Sequence, residues 1–168
     1  MVRIGFGYDV HQLKDGIPLI LGGIELPWPK GLESYTDGDV MLHAIMDALL
    51  GAACLGDIGL HFPDTDPKYK GYSSLSLLSE VGEMLDKAGY DVNNIDCTVV
   101  AQRPKIAPHI PAMRAKISQA LGAGADRISV KATTTEHMGF AGREEGMACY
   151  AVCTIIQRKA LSEPVPEA

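Results

Sequence analysis

No run in this sequence stays apolar for the roughly 18 residues that a bilayer-spanning helix needs, which excludes a transmembrane helix. The N-terminus, MVRIGFGYDVH, meets Gly and Asp too early to supply the apolar segment of a secretory signal, so a cytoplasmic location is expected. The four cysteines (Cys54, Cys97, Cys149 and Cys153) include no C-x-x-C pair, a poor spacing for a structural zinc site. Each has apolar neighbours, and reduced thiols in the core are expected. Positive charge is scarce too: 15 Lys and Arg face 21 Asp and Glu, a formal net charge of −6. A general nucleic-acid binder would carry a basic surface instead. A polyphosphate ligand would have to be met locally, by metals, helix N-termini and a few cations. No internal repeat and no linker divides the chain.

What is present fits one domain over 1–157, followed by a polar, Pro-rich and flexible tail over 158–168. Residues 2–11 read as a strand made irregular by Gly5 and Gly7, and 18–27 as a hairpin turning at Gly22-Gly23. Thr36-Asp37-Gly38-Asp39 opens a helix that ends near Gly56. The Gly-, Pro- and Asp-rich stretch that follows predicts a long functional loop. Helices are expected over 73–88 and from about 108 to 122, and strands over 95–101, 127–132 and 147–157. Strands alternating with helices, then two successive strands, indicate an α/β (α+β) sandwich with a single mixed sheet and helices on one face.

Asp9-x-His11 lies on an extended segment, where residues i and i+2 project from one face. A carboxylate and an imidazole thus stand side by side, and both suit zinc. His43, just after the TDGD turn, supplies a third candidate ligand. Asp47, one turn on, is placed to orient that imidazole through its other nitrogen. Three protein ligands leave the open position that catalytic zinc requires. Alone, each feature has an ordinary reading: D-x-H pairs are common, a half-buried histidine is usually structural, and Asp37 and Asp39 can cap a helix.

Gly56-Asp57-Ile58-Gly59 and Phe62-Pro63-Asp64-Thr65-Asp66-Pro67 combine glycines that admit a ligand to the backbone with acids that accept from polyol hydroxyls. Lys131-Ala132-Thr133-Thr134-Thr135-Glu136, at a strand end, resembles a phosphate cradle with a carboxylate for a hard cation such as magnesium. Arg143, in a glycine-punctuated turn, either meets phosphate in bidentate fashion or pairs with Glu144 or Glu145. Ala101 to Pro108 leaves a strand and enters a helix; its backbone can read a base edge while Lys105 meets a phosphate.

These motifs occur in one order: D-V-H, T-D-G-D-x-x-x-H, G-D-I-G, F-P-D-T-D-P, P-K-x-x-P-H-I-P-x-M, K-A-T-T-T-E and G-F-x-G-R-x-E-G. From about residue 2 to 157 the chain resembles the 2-C-methyl-D-erythritol 2,4-cyclodiphosphate synthase family, of the methylerythritol phosphate route to isoprenoid precursors. The resemblance implies a phosphorus-oxygen lyase that converts 4-diphosphocytidyl-2-C-methyl-D-erythritol 2-phosphate to the cyclic diphosphate plus CMP. It implies zinc on Asp9, His11 and His43, and magnesium or manganese on Glu136. Val10, Tyr35 and Thr36 would join those ligands around the substrate, with Asp57, Ile58, Gly59, Phe62, Pro63, Asp64, Thr65 and Asp66 holding the methylerythritol. Ala101, Gln102, Arg103, Pro104, Lys105, Ile106 and Ala107, assisted by Thr133, Thr134 and Thr135, would embrace the cytidine. The family is a homotrimer with active sites at subunit interfaces, which would put Phe140 and Arg143 near the threefold axis.

In this reading Thr134 donates to the developing charge. Two departures stand out. Tyr35-Thr36 replaces the usual His-Ser, and a tyrosine offers no cation near neutral pH, so the catalytic part of position 35 is open. Phe6 replaces a histidine found in some members. Two alternatives also stay open: a zinc-dependent hydrolase of a nucleoside diphosphate ester, and a non-catalytic trimeric module that binds such ligands.

Overall fold

Alternation along the first strand organises the molecule. In the computed structural model, which describes residues 1–158, β1 runs over Val2–Asp15. Its even-numbered residues Ile4, Phe6, Tyr8 and Val10 are exposed, while its odd-numbered residues turn inward. A short hairpin follows, β2 (Leu19–Leu21) and β3 (Ile24–Leu26). Its two-residue turn is Gly22-Gly23, both at positive φ, which glycine adopts without the Cβ clash. Then come β4 (Lys30–Leu32), α1 (Val40–Ala53), α2 (Ile58–His61), α3 (Ser74–Lys87) and β5 (Tyr90–Val100). The chain continues through α4 (Ile110–Leu121), β6 (Ile128–Thr133), α5 (Gly139–Gly142) and β7 (Gly146–Gln157).

The main sheet has the order β4-β1-β7-β5-β6. It is mixed: β5 and β6 pair in parallel, and the other neighbours are antiparallel. Register places Gly7, Ala151, Cys97 and Val130 in one row across it, and all four are buried on the helix-covered face. The next row, Tyr8, Tyr150, Thr98 and Lys131, lies on the opposite face, where Tyr8, Tyr150 and Lys131 are exposed.

Gly5 and Gly7 sit in regular ladder positions, not in the irregularity their presence suggested. A Cβ on Gly5 would lie 1.9 Å from the Ala48 carbonyl oxygen, and one on Gly7 2.0 Å from that of Ala44. The glycines therefore let α1 rest directly on the strand. That close fit explains why α1 is apolar on almost every side; only Asp47 and Gly51 reach solvent. Burying each of its Leu, Ile and Met side chains stabilises the fold by about 1.5–3 kcal/mol. Asp39 caps the helix, its Oδ1 accepting from Leu42 N at 3.1 Å. The same carboxylate accepts from Gly22 N at 3.0 Å and Gly23 N at 2.7 Å, so it also anchors the hairpin. Burial pushes Asp39 up in pKa, against the lowering by these backbone N–H groups.

Four expectations change. The strand predicted from 95 begins at Tyr90, with a bulge between Val92 and Asn94. The long loop after α1 contains α2 and a turn of 3-10 helix over Pro67–Tyr69. Cys54 is exposed, since it ends α1 in a left-handed conformation (φ 57°); Cys97, Cys149 and Cys153 are buried as expected. Arg158, assigned to a flexible tail, is held by ion pairs to Asp86 and Asp91; residues 159–168 of that tail lie outside the described residues. Among the described residues no helix is long and apolar enough to cross a membrane.

Candidate active site

The inward row of β1 changes character along its length. Where Gly5 and Gly7 lie under the middle of α1, there is no room for side chains. One step further on, Asp9 and His11 occupy the same face and meet the first turn of α1, which carries His43. Asp9 Oδ2 lies 2.8 Å from His11 Nε2 and 2.9 Å from His43 Nδ1, and the two imidazole nitrogens are 3.0 Å apart. The rings stand edge to face at 82°. Three metal-ligating atoms thus converge from two distant parts of the chain. Burial works to raise the Asp9 pKa, but contact with the His11 and His43 imidazoles outweighs it and holds the carboxyl well below the usual range.

The second nitrogen of His43 has different partners from the one expected. Asp47 does not reach it: its Oδ1 accepts from Ile58 N at 2.9 Å and fastens α2 to α1. Burial raises the Asp47 pKa against that N–H contact. His43 Nε2 instead lies 2.9 Å from Ser74 Oγ and 3.0 Å from Thr36 Oγ1. Ser74, fully buried at the start of α3, gives its hydroxyl proton to Asp37 Oδ1 at 2.5 Å. Its backbone N–H meets Asp37 Oδ2 at 2.9 Å. Nothing in the local sequence signals this contact, because Ser74 is 31 residues from His43.

A cavity of about 460 Å³ opens over the cluster. Asp9, His11, Tyr35, Thr36, His43, Ile58, Gly59, Phe62 and Asp64, all singled out in the sequence, line it, and Ser34 and Leu77 join them. The remaining expected residues of these segments lie outside this lining. Val10 points to the opposite face of the sheet and is exposed. Asp57 caps α2 through Leu60 N, while Pro63 and Thr65 do not line the cavity. Asp66 caps the 3-10 turn through Lys68 N, and its carbonyl accepts from Tyr35 Oη at 3.2 Å. The Tyr35 hydroxyl therefore ties the 62–66 loop in place rather than pointing at the three donors.

A second cavity, of about 500 Å³, is lined by Ala101 through Ala107, Ala132, Thr133, Thr134 and Trp28. It shares no lining residue with the first. Gln102 Oε1 accepts from His137 N at 3.2 Å, which joins its two walls. Thr135 donates to the Met138 carbonyl, and Thr134 Oγ1 donates to Glu136 Oε1 at 3.1 Å. Glu136 and His137 both have positive φ, strain of the kind that collects at functional turns. Trp28 is a residue that sequence reasoning missed. Its indole N–H is buried without a hydrogen-bond partner among the described residues. Arg143 joins neither cavity; it grips Glu145 in bidentate fashion at 2.8 and 3.1 Å, and Phe140 is partly exposed nearby.

A model of the YgbB family matches residues 2–156. The chain belongs to the YgbB family. Curated relatives agree: the 2-C-methyl-D-erythritol 2,4-cyclodiphosphate synthase of Clostridium perfringens is 58% identical over 156 residues, covering 93% of this chain and all of the relative. That of Symbiobacterium thermophilum is 60% identical, covering 92% and 99%. Among solved structures, the bifunctional IspDF of Campylobacter jejuni superposes with a TM-score of 0.90 at 42% identity, covering 94% of this chain and 42% of that longer one. A Plasmodium falciparum IspF in complex with CDP gives 0.83 at 34% identity, covering 94% and 97%. The YgbB match therefore spans both cavities and the three converging donors.

Proposed function

We propose that the protein converts 4-diphosphocytidyl-2-C-methyl-D-erythritol 2-phosphate to 2-C-methyl-D-erythritol 2,4-cyclodiphosphate and CMP, in isoprenoid precursor biosynthesis in the cytoplasm. The carrying observation is the pairing of a carboxylate-imidazole donor cluster with a separate cavity of a size and lining that suit a nucleoside. Relatives at close to 60% identity bear the name of this synthase, and one solved relative is a CDP complex. As a phosphorus-oxygen lyase, it would use no protein nucleophile. An oxygen of the substrate's own 2-phosphate attacks the β-phosphorus, the β-phosphorus–oxygen bond to the α-phosphate breaks, and CMP leaves with those electrons.

Catalysis of this kind rests on positioning and charge neutralisation. The donor set of Asp9, His11 and His43 fits zinc, which binds one carboxylate and two imidazoles readily. Glu136, a hard oxygen donor at a strained turn beside three threonines, would suit magnesium or manganese. When bound, zinc supplies a Lewis acid for the β-phosphate, and the second ion offsets charge on the leaving phosphate. Thr134, whose hydroxyl rests on Glu136, turns to donate to the charge that develops in transfer. Phe62 and the loop fastened by Tyr35 hold the methylerythritol and keep water from competing with the internal phosphate. Ala101 to Ala107 read the cytidine, with Lys105 at its phosphate.

A trimer completes the site in this reading. Ile4, Phe6, Tyr8, Val10, Tyr150 and Val152 form an exposed apolar face on adjacent strands of the sheet. Such a face is covered most simply by further copies of the chain around a threefold axis. One copy's cytidine cavity then faces a neighbour's metal cluster. Phosphorus NMR of the products tests the function: a cyclic diphosphate with CMP is expected. Linear phosphates would assign hydrolysis instead.

A further inference from the structure

We propose that Ser74 is a positioning residue of the metal centre, fixing which nitrogen of His43 is free to bind the ion. This rests on reading Asp9, His11 and His43 as that centre. An imidazole holds a metal only through a nitrogen with a free lone pair, so the proton of neutral His43 must stay on Nε2 for Nδ1 to act. Ser74 makes this choice. Its oxygen lies 2.9 Å from His43 Nε2, while its single proton is given to Asp37. A carboxylate oxygen has no proton to return, so Ser74 can only accept from the imidazole. Nδ1 is then left with its lone pair facing Asp9 and His11, at 2.9 and 3.0 Å.

The arrangement is also rigid. Asp37 holds Ser74 twice, through hydroxyl and backbone N–H, and its own backbone N–H donates to the Tyr72 carbonyl at 3.1 Å. Ser74 and His43 are both buried, so water does not compete for the contact. Thr36 Oγ1, at 3.0 Å from the same nitrogen, provides a second acceptor but has no carboxylate fixing its proton. The chain Asp37–Ser74–His43 thus takes the part that a carboxylate bonded directly to a ligating histidine plays elsewhere. It brings α3 into the definition of a site otherwise built from β1 and α1.

Two measurements test this. Nitrogen-15 NMR of the imidazoles in zinc-loaded protein reads the tautomer directly; His43 is expected to carry its proton on Nε2 and to bind through Nδ1, and a proton on Nδ1 would overturn the proposal. Zinc affinity, read by competition with a chromogenic chelator, should fall about 10–100-fold in Ser74→Ala, the usual range for losing such an outer partner. Ser74→Thr, which keeps the hydroxyl, should stay near the unsubstituted protein. Unchanged affinity in Ser74→Ala would remove the role from Ser74 while leaving the metal centre standing. Unsubstituted protein that takes up no zinc would overturn both.

Discussion

A Cβ added to Gly7 would lie 2.0 Å from the carbonyl oxygen of Ala44, so β1 and α1 touch backbone to backbone just beside the metal donors. No side chain can swing aside to make room. Gly7→Ala must push the helix away, at about 1–3 kcal/mol or more for overpacking. His43 immediately precedes Ala44, and Asp9 lies two residues after Gly7, so the same displacement parts the ligands. Gly7→Ala should lower both the melting temperature and the zinc affinity. A lowered melting temperature with unchanged zinc affinity would contradict this coupling.

Tyr35 lines the cavity over the donor cluster, and its hydroxyl donates to the Asp66 carbonyl at 3.2 Å. Removing it costs one partly exposed hydrogen bond, about 0.5–1.5 kcal/mol. In Tyr35→Phe, steady-state kinetics should show KM rising about two- to tenfold, the equivalent of that energy, with kcat little changed. A collapse of kcat would place the phenol on the reacting phosphates instead.

The chain's single tryptophan, Trp28, lines the cavity assigned to cytidine. Filling that cavity changes the surroundings of the indole. Titration with CMP or CDP should therefore shift or quench the intrinsic fluorescence, with a midpoint matching calorimetric binding. Binding seen by calorimetry with no fluorescence change would move the nucleotide elsewhere.

Thiol reactivity should divide the four cysteines. Burial pushes Cys153 up to about 11, and contact with Cys97 together with burial raises Cys149. The thiolate is the reactive form, so both stay protonated and inert at pH 8; the Cys153 thiolate becomes abundant only as pH approaches its raised pKa. Cys97 is shielded by burial, whereas Cys54 is exposed. Ellman's reagent at pH 8 should titrate one thiol per folded chain, lost in Cys54→Ser, and all four after denaturation. More than one in the folded protein would contradict this.

Much of the site was legible because strand alternation is strict. Asp9 and His11 had to share a face, and the capping turn before His43 marked where a helix begins. The same periodicity misplaced Asp47: it does lie one turn beyond His43, but the Ile58 N–H claims its carboxylate. Which partner wins a buried acceptor is a tertiary matter that helical spacing does not contain. Ser74 and Trp28 were hidden for the same reason, one arriving from α3 and the other from the turn after β3. In the sequence Gly5 and Gly7 look like interruptions of a strand, and only the packed helix shows that they admit its backbone. The early start of β5 was masked by Asp91, Asn93 and Asn94, polar residues that a strand accommodates here through a bulge.

One comparison bears most directly on the donor cluster: zinc content and CMP release measured side by side in the unsubstituted protein and in His43→Ala. Unsubstituted protein should hold zinc at one site per chain built by Asp9, His11 and His43, and lose turnover on chelation. His43→Ala should fold yet neither retain that ion nor release CMP. A His43→Ala protein that still binds zinc there, or still turns over the substrate, would contradict the account.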